Sequence, residues 1–96
     1  MALDIVWADE ANEDLDKIIE YLESKWSEKH IRQFFTRLEE CLEHIQLAPH
    51  RQKNSLRKPE TKEYQHSPKT TIFYSLDDQV VHILRVWSNI KDPDRP

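Results

Sequence analysis

Hydrophobic residues in the first half of the chain recur at intervals of three and four, the period of an amphipathic helix. A stretch of strand composition, residues 3–7, precedes them, and a break at residues 24–27 divides the helical pattern in two. The apolar positions of the two predicted helices are Ala8, Ala11, Leu15, Ile18, Ile19, Leu22 and Trp26, then Ile31, Phe34, Phe35, Leu38, Cys41, Leu42 and Ile45. The pattern predicts a helical hairpin, with Ser27 as N-cap of the second helix and Pro49 beyond its end.

The second half of the chain changes to the composition of β-strands. Residues 49–60 are polar and contain two prolines, so they are predicted to form a loop. The three predicted strands cover residues 61–66, 70–76 and 79–87. Asp77-Asp78 is predicted as the turn of the last hairpin. The order predicts a single α+β domain over residues 1–96, with an N-terminal strand and a helical hairpin packed on one face of an antiparallel β-meander (β-α-α-β-β-β).

The last predicted strand is apolar on both of its faces. Alternation separates Val80, His82, Leu84 and Val86 from Val81, Ile83, Arg85 and Trp87. Because two helices can cover only one side of a sheet, the other side is expected to expose apolar groups around Arg85 and to need a partner. An arginine in so apolar a strand costs stability unless it is paired or functional. Arg85 is therefore either a functional residue or half of an ion pair within the fold.

Charge is distributed unevenly over a chain with a formal net charge of −4. Residues 1–48 carry twelve Asp and Glu against five Lys and Arg, whereas residues 49–71 carry two against six. The charged outer face predicted for the first helix comprises Glu10, Glu13, Asp14, Asp16, Lys17 and Glu20. An anionic partner should meet the middle segment, although the overall acidity is atypical of a strong nucleic-acid binder.

Other features of the composition exclude several classes of site. The chain has no glycine, which excludes glycine-rich phosphate loops and dinucleotide fingerprints. The single cysteine, Cys41, cannot form an internal disulfide, and the sequence contains no membrane span and no secretory signal. A cytoplasmic protein is expected. His50, in the predicted loop, and His66, at the end of the predicted strand 61–66, do not have the spacing of a metal site, so neither a metal nor another cofactor is predicted.

Several short sequence motifs, in their order and spacing, resemble those of the RelE/ParE superfamily of bacterial type II toxins. They are Val6-Trp7 with Ala11, Asp14-Leu15-x-x-Ile18-x-x-Tyr21, Ile72-Phe73-Tyr74, Val80-Val81-x-Ile83-Leu84 and a closing Asp92-Pro93. The resemblance implies the toxin of a toxin–antitoxin module, which a cognate antitoxin covers in a heterotetramer or larger assembly. A homodimer formed through the open sheet face is equally compatible with the residues.

The superfamily includes two activities, and the chain departs from the pattern of one of them. RelE-like members cut mRNA on the ribosome, whereas ParE-like members inhibit DNA gyrase by binding it. Family nucleases often carry arginines at positions that here hold Thr71 and Ile90. Three hypotheses follow: a ParE-like binding toxin, which these departures favour; a RelE-like ribosome-dependent nuclease; and an inactive or repurposed interaction module.

The candidate functional residues that this resemblance implies are basic, with one tryptophan. For a nuclease, the residues at the phosphate would be Arg57, Arg85 and Lys91. The side chains that could then act as acid or base, if the fold brings them close, are His50, His66, Tyr64 and Tyr74. The candidates for contact with the antitoxin or the target are Arg51, Lys53, Lys58, Lys69 and Trp87.

Overall fold

The structure, a computed structural model, describes residues 3–48 and 61–88. Its elements are β1 (Asp4–Trp7), α1 (Asp9–Lys25), α2 (Glu28–Leu47), β2 (Lys62–Ser67), β3 (Thr70–Asp77) and β4 (Val80–Ser88). The predicted α+β order is confirmed, and every strand boundary lies within one residue of its predicted position. The predicted loop at 49–60 lies outside the described residues.

The four strands form one sheet in the order β1-β4-β3-β2. β2, β3 and β4 make the predicted antiparallel meander, whereas β1 pairs with β4 in parallel. The parallel pairing places Asp4 opposite Val80 and Trp7 opposite Ile83. Since β1 ends there, it covers only the first part of β4. Beyond Ile83, that edge of β4 has no neighbouring strand among the described residues.

The core lies between the helical hairpin and one face of the sheet. The helices contribute Ala11, Ile18, Leu22, Phe34, Leu38, Cys41 and Ile45, and the sheet contributes Ile72, Tyr74, Val81, Ile83 and Val86. The helix residues in this core all belong to the two predicted apolar stripes, so each helix buries the face that its periodicity predicted. Cys41 is fully buried, and burial raises the pKa of its thiol.

The turn between the helices follows the prediction at Ser27 and departs from it at Trp26. Ser27 is the N-cap of α2, and its carbonyl accepts hydrogen bonds from the backbone N–H groups of His30 and Ile31. Its hydroxyl lies 2.9 Å from Nδ1 of His30. Trp26 was grouped with the apolar stripe of α1, but it is 50% exposed because α1 ends at Lys25 and the backbone is already extended.

A β-bulge in β4 changes the faces that alternation predicted for this strand. The pairing of β3 with β4 passes over Leu84, which is the extra residue. An extra residue reverses the alternation beyond it, so Val86 is buried together with Val81 and Ile83. The prediction that placed Val86 on the same face as His82 is therefore wrong.

The outer face of the sheet carries both polar and apolar groups. Val6 and Trp87 are each 47% exposed, as expected of a face that needs a partner. The alternating burial of β3, however, turns Thr71 and Ser75 outward together with the partly exposed Phe73. The predicted apolar outer face is thus limited to separate apolar groups among polar ones.

The last hairpin turns without glycine. The predicted turn was Asp77-Asp78, but the structure places it one residue later, at Asp78 and Gln79. Asp78 has φ of 51°, in the left-handed region that Asp tolerates better than most residues with a side chain. Asp77 instead ends β3 and pairs with Val80.

Candidate functional site

The structure describes three of the eight basic and aromatic candidates, namely Lys69, Arg85 and Trp87. Lys69 is exposed on the turn between β2 and β3, and Trp87 lies opposite Thr71. Both therefore lie at the same end of the sheet. The candidates outside the described residues are His50, Arg51, Lys53, Arg57, Lys58 and Lys91.

Arg85 is bound by the carboxylate of Asp14 in α1. Its Nε donates to Oδ2 at 2.7 Å and its Nη2 donates to Oδ1 at 2.9 Å. The backbone N–H of Val86 donates to Oδ2 of the same carboxylate at 3.1 Å. Because the N–H groups of a strand point toward its neighbour in the sheet, this carboxylate lies beside the edge of β4, beyond the end of β1. Asp14 supplies the hydrogen-bond acceptor that a neighbouring strand would otherwise provide there.

The two partners of this ion pair differ in burial. The side chain of Asp14 is 14% exposed and that of Arg85 is 49% exposed. Burial alone would raise the pKa of the Asp14 carboxyl, but the hydrogen bonds from Arg85 and Val86 and the charges of Arg85 and Lys17 outweigh it and lower that pKa. The hydrogen bond and charge of Asp14 in turn raise the pKa of Arg85. Both groups are therefore charged at neutral pH.

A cleft of about 200 Å³ opens beside the ion pair. Its lining residues are Asp14, Lys17, Ile18, Arg85, Val86, Trp87 and Ser88. The cleft thus brings two cations together with a half-exposed indole. Glu10 and Glu13 also lie close enough to Arg85 for their charges to raise its pKa. The surroundings of this arginine are consequently acidic on the α1 side.

The acid and base candidates that the structure describes do not lie beside Arg85. Tyr64 belongs to β2, which β3 separates from β4, and its hydroxyl lies 2.5 Å from Nδ1 of His44. Tyr74 is fully buried; burial, with a smaller contribution from Tyr64, raises its pKa to about 12. These side chains are therefore unsuited to proton transfer at this arginine near neutral pH.

His66 is the last residue of the predicted strand 61–66; it lies in β2 and is only 4% exposed. Its Nε2 lies 3.1 Å from the carbonyl oxygen of Phe34, so Nε2 carries the proton and donates it. Nδ1 is buried and has no hydrogen-bond partner among the described residues. Burial lowers the pKa of His66, and the charge of Arg37 acts in the same direction against the hydrogen bond to Phe34.

Sequence reasoning missed Asp14, which it assigned to the charged outer face of α1. The signal that could have found it is its spacing. Asp14 follows the buried Ala11 by three residues and precedes the buried Ile18 by four, so it lies along the apolar stripe. A carboxylate on that stripe needs a partner in the fold.

The described part of the chain offers neither a metal centre nor a membrane span. No three His, Cys, Asp or Glu side chains in residues 3–48 and 61–88 cluster so as to hold a metal ion. In the same residues, neither helix is long and apolar enough to cross a bilayer.

A comparison with protein families found one match that covers most of the sequence. The profile of the ParE toxin of the type II toxin–antitoxin system, parDE, matches residues 5–93. Among curated protein sequences, none matches the chain significantly.

Solved structures with a similar fold come from several toxin–antitoxin systems. A chain of the chromosomal ParDE system from P. aeruginosa has a TM-score of 0.76 at 13% identity, over 91% of this chain and 96% of that one. A chain of the RelBE2 complex from Mycobacterium tuberculosis has a TM-score of 0.63 at 20% identity, over 92% and 99%. A chain of the E. coli DinJ-YafQ complex has a TM-score of 0.56 at 13% identity, over 94% and 97%. At these identities the likeness shows a shared fold.

Proposed function

The chain belongs to the ParE toxin family of type II toxin–antitoxin systems, and from that premise we propose that it inhibits growth by binding its target and is neutralised by a cognate antitoxin. The observation that carries binding, in preference to RNA cleavage, is the ion pair between Arg85 and Asp14. Of the three residues predicted to contact the phosphate in a nuclease, Arg85 is the one within the described part of the chain.

Metal-free RNA cleavage needs cations around the phosphate and groups that move protons at the reacting oxygens. The positive charge of Arg85 is largely balanced by Asp14, and Glu10 and Glu13 add negative charge on the same side. The described Tyr and His candidates are either buried or placed on β2, on the other side of β3. This environment supports binding of a protein.

A cognate antitoxin is supported by the unfinished surface of the sheet. Beyond Ile83 the edge of β4 has no neighbouring strand among the described residues, and Trp87, in that part of β4, leaves nearly half of its area in solvent. The ParDE, RelBE2 and DinJ-YafQ structures that share the fold come from toxin–antitoxin systems, which supports the same kind of partner for this chain.

Induced expression in a bacterial host tests the proposal. We expect growth arrest with intact mRNA by primer extension, and inhibition of DNA gyrase supercoiling by the purified chain, since gyrase is the target that the family implies. A small reading frame beside the gene is expected to encode the antitoxin; its co-expression should restore growth, and its product should co-purify with the chain.

The same experiment separates the alternatives. Cleavage of mRNA on translating ribosomes would show that the chain acts as a nuclease, against the hypothesis of a binding toxin. Unchanged growth on induction of soluble, folded protein would favour the inactive or repurposed interaction module. The variant Arg32→Ala, at an exposed ion pair on α2, serves as the control and should arrest growth as the unmodified chain does.

A further inference from the structure

Asp14 occupies only one of the two hydrogen-bonding faces of the Arg85 guanidinium. A guanidinium has a side face, formed by Nε and one Nη, and an end face formed by the two Nη atoms. Asp14 accepts from Nε and Nη2, which is the side face. The N–H groups of Nη1, and the second one of Nη2, bind no residue that the structure describes. Within the part of the chain that the structure describes, the end face is thus available for a second bidentate partner.

The orientation of this end face is set before any partner arrives. Asp14 is mostly buried and is itself held by the backbone N–H of Val86. The two hydrogen bonds from Arg85 then fix the plane of the guanidinium, whose side chain is still 49% exposed. A preoriented side chain loses less conformational entropy on binding than a mobile surface arginine does.

We propose that the end face of Arg85, oriented by Asp14, binds a carboxylate from an Asp or Glu side chain of the protein target that the toxin inhibits. The inference rests on the proposed function, because it names the group that such a partner presents. A planar carboxylate matches the two parallel N–H donors of a guanidinium face. Asp14 is a positioning residue here, and Arg85 makes the contact.

The charges around the cleft favour a single carboxylate over a nucleic-acid backbone. Helix α1 carries seven Asp and Glu against two Lys, and the charges of Glu10 and Glu13 act directly on Arg85. Lys17 lines the same cleft as Arg85 and adds a second positive charge near a carboxylate bound there. A polyanion would place further phosphates against its acidic surface.

The indole of Trp87 strengthens the site for a protein partner. It lines the same cleft as Arg85 and is 47% exposed, so part of its area remains for contact. When a partner covers an aromatic side chain beside an ion pair, water is excluded and the hydrogen bonds of the pair become stronger. Trp87 is therefore expected to contribute contact area, with Arg85 determining the chemistry.

Two variants separate this role from a structural one. Arg85→Lys keeps a positive charge beside Asp14, but an ammonium group lacks the second pair of N–H donors that a guanidinium has. The folded variant should therefore need about tenfold to a hundredfold more induced protein for the same growth arrest. The double variant Asp14→Arg with Arg85→Asp restores an internal ion pair with its polarity reversed. We expect the double variant to have a higher Tm than Arg85→Asp alone and to remain without toxicity. Full toxicity of either folded variant would overturn the proposal.

A titration of the purified chain tests the ligand class without any toxicity assay. Sodium acetate should shift the indole N–H resonance of Trp87 and the Nε–H resonance of Arg85 further than sodium chloride at equal ionic strength. Arg85→Lys should abolish the acetate-specific shift of Trp87. Equal shifts with acetate and chloride would overturn the proposal, and a larger shift with inorganic phosphate would assign the site to phosphate instead. If the unmodified chain fails to arrest growth, the proposed function fails while this titration still decides the inference.

Discussion

Two arginine–carboxylate pairs in this protein use the same chemical groups in different surroundings. Arg32 and Glu28 lie one turn apart on α2, and their side chains are 76% and 79% exposed. Arg85 and Asp14 are 71 residues apart in sequence and join β4 to α1, with Asp14 only 14% exposed. The first pair joins two side chains in solvent, whereas the second also satisfies a backbone N–H at an unfinished strand edge. The contribution of each salt bridge to the free energy of unfolding therefore depends on its burial and on whether its carboxylate also accepts a backbone hydrogen bond.

Removal of Asp14 should produce the largest effect. In Asp14→Ala, the N–H of Val86 loses its acceptor and Arg85 loses its ion partner, so the free energy of unfolding should fall by about 2 kcal/mol. Urea denaturation at pH 7 measures this loss. A loss no larger than that of an exposed ion pair would show that water fully replaces Asp14 at the edge of β4.

The contribution of Asp14 should also depend on pH in a fixed direction. Its folded-state pKa is lowered, so the unfolded chain binds the proton first on acidification. The stabilisation is complete above the ordinary carboxyl pKa of 3.8 and is lost as the pH falls through the lower folded-state value. The difference in stability between the unmodified chain and Asp14→Asn should therefore narrow below about pH 4.

Protonation of His66 should have a smaller effect, because this buried side chain has no ion partner within residues 3–48 and 61–88 to stabilise its charge. It therefore sharpens the comparison with the paired Asp14. Its folded-state pKa lies below 6.5, so the unfolded chain binds the proton first. Stability should be complete above pH 6.5 and fall below it by on the order of 1 kcal/mol, since Nδ1–H would be buried without an acceptor. Denaturation midpoints between pH 7.5 and 5 measure the slope.

Matched histidine variants assign this slope to one side chain. His66→Gln keeps a donor for the carbonyl of Phe34 and should flatten the slope, whereas His30→Gln, at an exposed position on α2, should preserve it. A slope that persists unchanged in His66→Gln would show that another group causes the acid sensitivity.

Removal of the exposed pair should produce the smallest effect. Arg32→Ala and Glu28→Gln should each change the free energy of unfolding by less than about 0.5 kcal/mol, because solvent screens both charges. The same urea denaturation at pH 7 gives the comparison with Asp14→Ala. A loss in Arg32→Ala equal to that in Asp14→Ala would remove the distinction between the two pairs.

The residues that periodicity assigned correctly are those whose neighbours are local or purely apolar. The stripe of α2 and the N-cap Ser27 depend on spacing within one helix, and both are present. Trp26 shows the limit of that argument. It continues the apolar spacing of α1, but the helix ends before it, and the end of a helix depends on the turn that follows.

The candidate site was only partly predictable from the sequence. Arg85 stood out because a charge in an apolar strand requires a partner, and the ion pair was one of the two explanations that followed. Asp14 could not be identified as that partner, since the bulge at Leu84 and the parallel pairing of β1 place the two side chains together. Neither the bulge nor the strand pairing produces a periodic pattern of residues in the sequence. The burial of His66, at the end of the predicted strand 61–66, could not be predicted either, because the polar sequence of this strand has no strong alternation.

The amino-acid sequence alone determined the order of the elements, the apolar faces of the helices and the family resemblance, because these depend on local spacing and on which residues follow one another. The tertiary structure decided which strand lies beside β1, which face of β4 reaches the core after Leu84, and that Asp14 holds Arg85. These outcomes depend on contacts between segments far apart in sequence, such as Asp14 and Arg85, which are 71 residues apart. Many pairings of strands and side chains are compatible with the same local pattern of residues. Packing, hydrogen bonding and charge select one of them only when the chain is folded.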